Sequence, residues 1–203
     1  MNIELYKAGM KYKDSQIFSD LSFLAGAGDR LALVSSDYKS LTMTLQAMLG
    51  MRRLCSGWAS IDGEPVLPSV AACYRRYISY LPNNIDFEDI TLEQLAKSIL
   101  TGDSKYSSKE AERHLQLLGV ETDCLHRAFA SIDASTAQRA ALAVTVMDGR
   151  SIALLDNPTS QQDEAGSRLV ADYLASSLFD DVAVVIATSD PIVTAVCNKK
   201  QNI

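Results

Sequence analysis

The most informative pattern in this sequence is SIALLDNPTSQQD, from Ser151 to Asp163. A strongly apolar run ends in an acidic residue, Asp156, and is followed by Pro-Thr-Ser and by a second acidic residue, Asp163. The apolar run predicts a buried strand, and LALV and VAVVIAT predict two more of the same kind. Because such strands alternate with amphipathic helical patterns, the sequence predicts an α/β fold with a mostly parallel sheet covered on both faces.

Weaker strand patterns and a block of helical patterns surround this framework. The segments that alternate or end at turn residues, and so predict strands, are NIELYKAGMKY, QIFSDLSFLA, GWASIDGEPV and YISYLP. The helical patterns are LTMTLQAML ending at Gly50, TLEQLAKSIL, SKEAERHLQLLG, CLHRAF, an alanine-rich helix at Ala137–Met147 and a helix near Gly166–Ser177. The helices after Pro82 carry most of the exposed charge and suggest a subdomain inserted into the sheet domain.

The composition restricts the classes of partner and compartment. A chain of 203 residues suits one sizeable domain, and its net charge of −6 argues against a nucleic-acid partner. No apolar run approaches the roughly 18 residues that a membrane helix needs, and the N-terminus shows no secretory signal. The cysteines form no CxxC pair, which favours reduced thiols in the cytosol, and the two histidines lie too far apart to indicate a metal site.

The stretch from Ser151 to Asp163 resembles the Walker B motif and D-loop of ATP-binding cassette (ABC) ATPases, whose pattern is an apolar run followed by L-D-E-P-T-S-x-x-D. One position departs from that pattern, because Asn157 stands where the family has glutamate. The remaining family motifs follow in order over residues 3–195. They are an adenine-stacking aromatic at Tyr12, the S-G-x-I-x-I-D-G turn, a Q-loop position at Asn83, a signature at Ile132, Asp133, Ala134, Ser135 and Thr136, and a switch region ending in Ser189-Asp190.

The phosphate loop can be placed by counting from the strand before it or from Gly50 after it, and both give one ungapped register. The family pattern G-x-x-x-x-G-K-[ST] then falls on Ser35, Ser36, Asp37, Tyr38, Lys39, Ser40, Leu41 and Thr42. Both defining glycines are serine and the lysine is leucine. An alternative register, shifted by two residues, makes Lys39-Ser40 the K-[ST] pair but places Leu33, inside the strand, at the first glycine.

The positions at which this sequence departs from the family pattern are those that contact phosphate or activate water in the family. Glycines let backbone N–H groups converge on phosphate, and the lysine supplies positive charge to it. Asn157 cannot accept a proton from water as glutamate does, and Ser189 replaces the switch histidine. Asp133 is expected to cap its helix while repelling phosphate. Residues that shape the fold are kept, which together with these losses predicts a pseudo-ATPase without catalytic residues of its own.

The surviving site residues have structural interpretations as well as functional ones. The resemblance makes Thr42 and Asp156 ligands of Mg²⁺ wherever ATP or ADP is bound, yet Thr42 can equally serve as a hydroxyl at a helix start. Asp156 can also tether the end of its strand. Tyr12 is as compatible with ordinary packing as with adenine stacking, so weak or absent nucleotide binding is expected.

The resemblance implies an architecture and a set of partners. We expect a single ABC ATPase-like domain over residues 1–203, with a RecA-like parallel core sheet and an antiparallel β subdomain in 1–82 and 140–203. An inserted helical subdomain over 83–139 would include the degenerate signature. The implied function is a scaffold or regulatory subunit, cytoplasmic and peripheral to the membrane. Its partners would be an integral-membrane permease, docked near Asn83–Asp89, and a second ABC ATPase subunit in a homodimer or heterodimer.

Two alternatives remain open at this point. One is a divergent but active ATPase in which Lys39 or a partner residue substitutes for the missing lysine. The other is a soluble regulatory protein of this fold without a permease. The chain stops shortly after the switch region, where the family usually continues through a further hairpin, so we expect a minimal version of the domain.

Overall fold

The computed structural model describes residues 1–13, 15–85, 90–100 and 106–203. In this part of the chain, the first sheet is antiparallel, with strand order β2-β1-β4-β5. Its strands are β1 (Ile3–Tyr12), β2 (Ser15–Ala25), β4 (Ser56–Ile61) and the two-residue β5 (Glu64–Pro65). Pairing between β1 and β2 is interrupted by register shifts, which explains why their alternation in the sequence is weak.

The second sheet is parallel, with strand order β6-β7-β8-β3-β9. Its strands are β3 (Arg30–Val34), β6 (Ile78–Leu81), β7 (Ile152–Asp156), β8 (Ala183–Ala187) and β9 (Lys199–Asn202). Every residue of β7 and β8 is buried, as expected for central strands covered on both faces. The predicted parallel core sheet and antiparallel β sheet are therefore both present.

The helices lie between and around the two sheets. They are α1 (Tyr38–Met48), α2 (Ala71–Arg75), α3 (Leu92–Ile99), α4 (Ser108–Leu117), α5 (Ala134–Val146), α6 (Glu164–Ala175) and α7 (Pro191–Ala195). Thr91 and Gln94 form a capping box at the start of α3, and Ser107 caps α4.

Two hydrophobic cores divide the structure. The first joins the antiparallel sheet, α1 and one face of the parallel sheet, where Leu5, Leu45 and Val185 are fully buried. The second joins the opposite face of the parallel sheet to α3, α4, α5 and α6. Helix α1 is thus held between the two sheets, and the loop that precedes it is positioned from both sides.

Some local expectations differ from the structure. The pattern CLHRAF forms two short 3-10 helices, Thr122–His126 and Phe129–Ser131, instead of one α-helix. Helix α1 begins at Tyr38, three residues before the predicted start, because Asp37 caps it there. The short helices α2 and α7 and the edge strand β9 were not predicted. The predicted division at residues 82/83 and 139/140 stays a prediction.

Within the described residues, the helices are all too short or too polar to cross a lipid bilayer.

Candidate functional site

The candidate site lies where β3, β7 and β8 end, at the carboxyl edge of the parallel sheet. Three segments meet there: the loop and the start of α1 from Ser35 to Thr42 after β3, Asp156 at the end of β7 with Asn157 directly after it, and Ser189 after β8. Parallel strands bring these chain segments to one edge regardless of their separation in sequence. The predicted phosphate-loop, Walker B and switch positions are therefore brought together.

Backbone N–H groups of the loop before α1 and of the first turn of α1 are hydrogen-bonded within this same segment. Asp37 caps α1 by accepting the backbone N–H of Lys39 on its carboxylate at 3.0 Å, while its carbonyl accepts the N–H of Ser40 at 3.1 Å. The N–H of Asp37 in turn donates to Ser35 Oγ at 3.1 Å. A working phosphate loop keeps such N–H groups for the ligand. Here three of them are taken by the loop itself, and the Asp37 carboxylate adds a negative charge.

The two serines at the glycine positions reinforce this closed loop. Ser40 Oγ donates to the carbonyl of Asp37 at 2.6 Å and lies 3.0 Å from Ser35 Oγ. Leu41, at the lysine position, is 1% exposed and belongs to the core between the two sheets. The predicted lysine position is thus used for packing.

Lys39 does not point its charge into the loop. Its ammonium lies 4.0 Å from the centroid of the Tyr12 ring, a cation–π contact. The guanidinium of Arg52 approaches the same ring at 5.7 Å. The Lys13 ammonium also lies 5.9 Å from the ring centroid. Within the described residues, the ring that is predicted to stack on adenine therefore already has three cationic groups of its own chain close to it.

Tyr38 connects the loop to the switch segment. Its hydroxyl is hydrogen-bonded to Ser189 Oγ across the mouth of the site. The next residue, Asp190, caps α7 by accepting the N–H of Ile192 at 2.9 Å. Sequence reasoning missed the Tyr38 contact, since no pattern in the sequence pairs these two positions.

Asp156 is the buried acid of the site. It is 2% exposed, and burial raises the pKa of its carboxyl, although hydrogen bonding from the Thr42 hydroxyl and the Asn83 backbone N–H opposes this. Its Oδ2 has no hydrogen-bond partner within the described residues. Burial, together with the nearby Asp156 charge, also raises the pKa of Tyr80 to about 12. A hydroxyl beside a carboxylate with a spare oxygen is a donor set that suits Mg²⁺.

Asn157 occupies a left-handed backbone conformation, with φ of 53°. Its N–H donates to the carbonyl of Ala187 at 2.8 Å, and its own carbonyl accepts from Gln138 Nε2 at 3.2 Å. Asparagine tolerates this conformation better than glutamate does. The residue is suited to the turn after β7, where its side chain offers no general base.

The predicted signature segment is tied to the D-loop of the same chain. Asp133 caps α5 by accepting the N–H of Thr136 at 3.0 Å, and this bond, with one from the Thr136 hydroxyl, lowers the pKa of Asp133. Ser135 Oγ donates to Gln162 Oε1 at 2.9 Å, while Gln162 Nε2 donates to the Ser135 carbonyl at 2.9 Å. Ile132 is buried and Ala134 exposed. The predicted cap is present, and the role of Gln162 was not predicted.

A cavity of about 340 Å³ lies between the Q-loop position and the signature helix. Its lining includes Asn83, Ile85, Ile132, Ala137 and Gln138. The permease-docking surface predicted at Asn83–Asp89 begins at this cavity, and Asp86–Asp89 lie outside the described residues. Asp163 is not part of the cavity lining and caps α6 by accepting the N–H of Gly166 at 2.8 Å.

Comparisons with known proteins all find similarity to ABC proteins. The family model described as ABC transporter matches residues 18–160. The uncharacterized ABC transporter ATP-binding protein YhcH of Bacillus subtilis is 22% identical over 92% of this chain and 61% of its own length. ATP-binding cassette sub-family B member 6 of Mus musculus is 27% identical over 91% of this chain, which spans 23% of that protein.

A solved structure shares the fold. It is the dimeric structure of a post-hydrolysis state of the ATP-binding cassette MJ0796 bound to ADP and Pi. It superposes with a TM-score of 0.85 at 16% identity, covering 99% of this chain and 94% of that one. The fold prediction is confirmed by this likeness.

Proposed function

The chain belongs to the ABC transporter family as an ATP-binding domain, and we propose that it is a pseudo-ATPase that serves a transporter as a scaffold or regulatory module. In this proposal it binds ATP or ADP weakly or not at all and has little or no hydrolytic activity. It contributes its folded surface to a complex in which a permease and a competent ATPase supply transport and energy.

The closed loop from Ser35 to Ser40 is the observation that carries this proposal. To bind a triphosphate there, the loop would have to break the Asp37 cap and the contact between the two serine hydroxyls. It would also have to place phosphate oxygens beside the Asp37 carboxylate. Losing a hydrogen bond to a charged group costs about 1.5–3 kcal/mol, so the missing lysine alone weakens binding by about one to two powers of ten.

Hydrolysis requires groups that the proposed site lacks. The amide of Asn157 cannot take a proton from water, and Ser189 is engaged with Tyr38. At the signature, Asp133 places a carboxylate at the helix N-terminus that in this family holds phosphate of the opposing subunit. Each loss lies on a different element, so no single partner residue restores them together.

Thr42 and Asp156 are the residues that would hold Mg²⁺, because the hydroxyl and the unpartnered Oδ2 of the buried carboxylate suit it. Bound Mg²⁺ would supply positive charge to phosphate oxygens. This retained pair favours a second candidate function, a divergent active ATPase. In that case Lys39 would have to leave the ring of Tyr12 to reach phosphate.

The proposed partners are an integral-membrane permease and a second ABC ATPase domain. Support comes from the cavity beside Asn83, which offers a docking site between the core and residues 83–139, and from the dimeric state of the cassette MJ0796. We assign the chain to the cytoplasmic face of a membrane through that permease. A subunit of this kind would have no nucleic-acid partner, consistent with its net charge of −6.

Turnover by the purified chain tests the proposal against the active alternative. We expect no phosphate release from Mg-ATP above that of a heat-denatured sample, with or without added partner subunits. The Lys39→Ala variant serves as the matched control, since the divergent-ATPase candidate predicts activity that this variant abolishes. Turnover lost in Lys39→Ala would therefore reject the scaffold proposal.

Recovery from detergent extracts tests the partner. A tagged chain is expected to bring down a polytopic membrane protein in stoichiometric amount. Recovery of the chain alone, or only with soluble proteins, would instead favour a regulatory protein of this fold without a permease.

A further inference from the structure

An aromatic pair lies on the exposed face of the antiparallel sheet. Tyr6 on β1 and Trp58 on β4 are cross-strand partners, with ring centroids 4.7 Å apart. They remain 37% and 47% exposed, and the Lys7 ammonium lies 5.5 Å from the Tyr6 ring. A tilted ring pair so open to solvent buries little apolar area, so packing within this chain does not account for it.

The backbone around the pair adopts conformations that favour glycine. Lys7 has φ of 44°, a strained value for a residue with a Cβ, and Gly57 has φ of 65°. A Cβ at Gly57 would lie 2.2 Å from the carbonyl oxygen of Tyr6, so no other residue fits there. The β1–β4 ladder shifts register directly after Tyr6. The backbone of the sheet is therefore locally strained next to Trp58.

The edge of β4 beside Trp58 is open. Strand β5 pairs only with Ser60 and Ile61, and the N–H of Val66 adds one bond to the carbonyl of Ala59 at 2.8 Å. Among the described residues, 56–58 have β1 on one side and no strand on the other. An open strand edge of this kind can pair with an added strand.

A groove of about 430 Å³ follows this open edge. Leu54, Trp58 and Leu67 contribute apolar walls, and Leu67 is 55% exposed. Arg52 and Arg53 are the charged residues of the lining, which contains no acidic residue although the whole chain carries a net charge of −6. Neither arginine forms an ion pair with a carboxylate within the described residues.

We propose that this groove binds an extended acidic segment of a protein partner, which adds to the free edge of β4 as a further strand. Main-chain hydrogen bonds would form with residues 56–58. Alternate side chains of the segment would be apolar and pack on Trp58 and Leu67, while acidic side chains would reach Arg52 and Arg53. The open edge favours an extended segment over a helix, and two arginines without a carboxylate partner among the described residues favour acidic over basic sequences.

Selection from a phage-displayed random peptide library on the immobilised full chain tests this proposal. Enriched peptides are expected to be acidic and to alternate apolar residues. A synthetic copy of the most enriched peptide should change the fluorescence of Trp58, the sole tryptophan of the chain. It should also slow amide hydrogen exchange at residues 56–58, which binding as a helix would not do.

Substitutions inside and outside the groove distinguish binding in the groove from a general effect of charge. Arg52→Glu/Arg53→Glu should weaken peptide binding about tenfold or more, and Leu67→Glu, at an exposed position, should weaken it without threatening the fold. Arg113→Glu/Arg168→Glu, on the exposed faces of α4 and α6, is the charge-matched control and should bind normally. Absence of enrichment, enrichment without acidic residues, equal weakening by the control pair, or unchanged exchange at 56–58 would each overturn the proposal.

Discussion

Individual residues of the predicted site have different surroundings. Leu41 is buried in the core between the sheets, so its position has become part of the packing. The carboxylate of Asp156 is buried, which disfavours its charged form. Its Oδ2 has no hydrogen-bond partner within the described residues. The sequence shows which residue types are present, whereas only the structure shows that Lys39 and Tyr38 are engaged by Tyr12 and Ser189.

Asp156→Asn is expected to stabilise the protein at neutral pH by about 1 kcal/mol, because it removes a buried charge and keeps an oxygen for Thr42 and the Asn83 N–H. The folded-state pKa of Asp156 is raised, so its charge penalty is absent below the unfolded-state pKa. The penalty grows as pH rises through the folded-state pKa. Urea denaturation of both proteins across acidic and neutral pH measures this.

The advantage of Asp156→Asn should therefore disappear in acid, at pH values below about 4. A variant that is less stable than the original at neutral pH would show that the carboxylate has a stabilising ionic partner.

At the scale of elements, four helices of the described part of the chain begin with an aspartate cap. Asp37, Asp133, Asp163 and Asp190 cap α1, α5, α6 and α7. Two of these, on α1 and α5, occupy helix starts where the predicted register places phosphate. In our proposal, the same side chain stabilises the helix and repels that ligand. The Asp133 cap was predictable from its position before a helical pattern. The Asp37 cap was not, because the family register places this residue inside a loop.

Asp133→Ala is expected to lower the free energy of unfolding by about 1 kcal/mol at neutral pH through loss of the cap on α5. Because hydrogen bonds lower the folded-state pKa of Asp133, its contribution is present above the unfolded-state pKa and is lost as pH falls through the folded-state pKa. Chemical denaturation at neutral and acidic pH provides the measurement.

Asp172→Ala, which removes an exposed aspartate within α6, is the control and should change stability by less than about 0.5 kcal/mol. Equal losses in the two variants would indicate a general charge effect instead of capping.

At the scale of the whole molecule, strongly apolar strands and capped helices were predictable because each follows from local pattern. The 3-10 geometry of 122–131 and the short α2, α7 and β9 were not, since tertiary contacts decide such short elements. The order of the family motifs placed the candidate site, but the contacts that close it join residues far apart in sequence. Tyr38 and Ser189 are the clearest example.

We propose that the chain has the fold of a nucleotide-binding domain, whereas the backbone N–H groups of its phosphate loop are hydrogen-bonded within the loop. Equilibrium binding of a fluorescent ATP analogue to the purified chain, in the presence of Mg²⁺, tests this most directly. We expect a dissociation constant weaker than about 100 μM, because the lysine is missing, the N–H groups are occupied and Asp37 adds negative charge. Binding in the low micromolar range would contradict it.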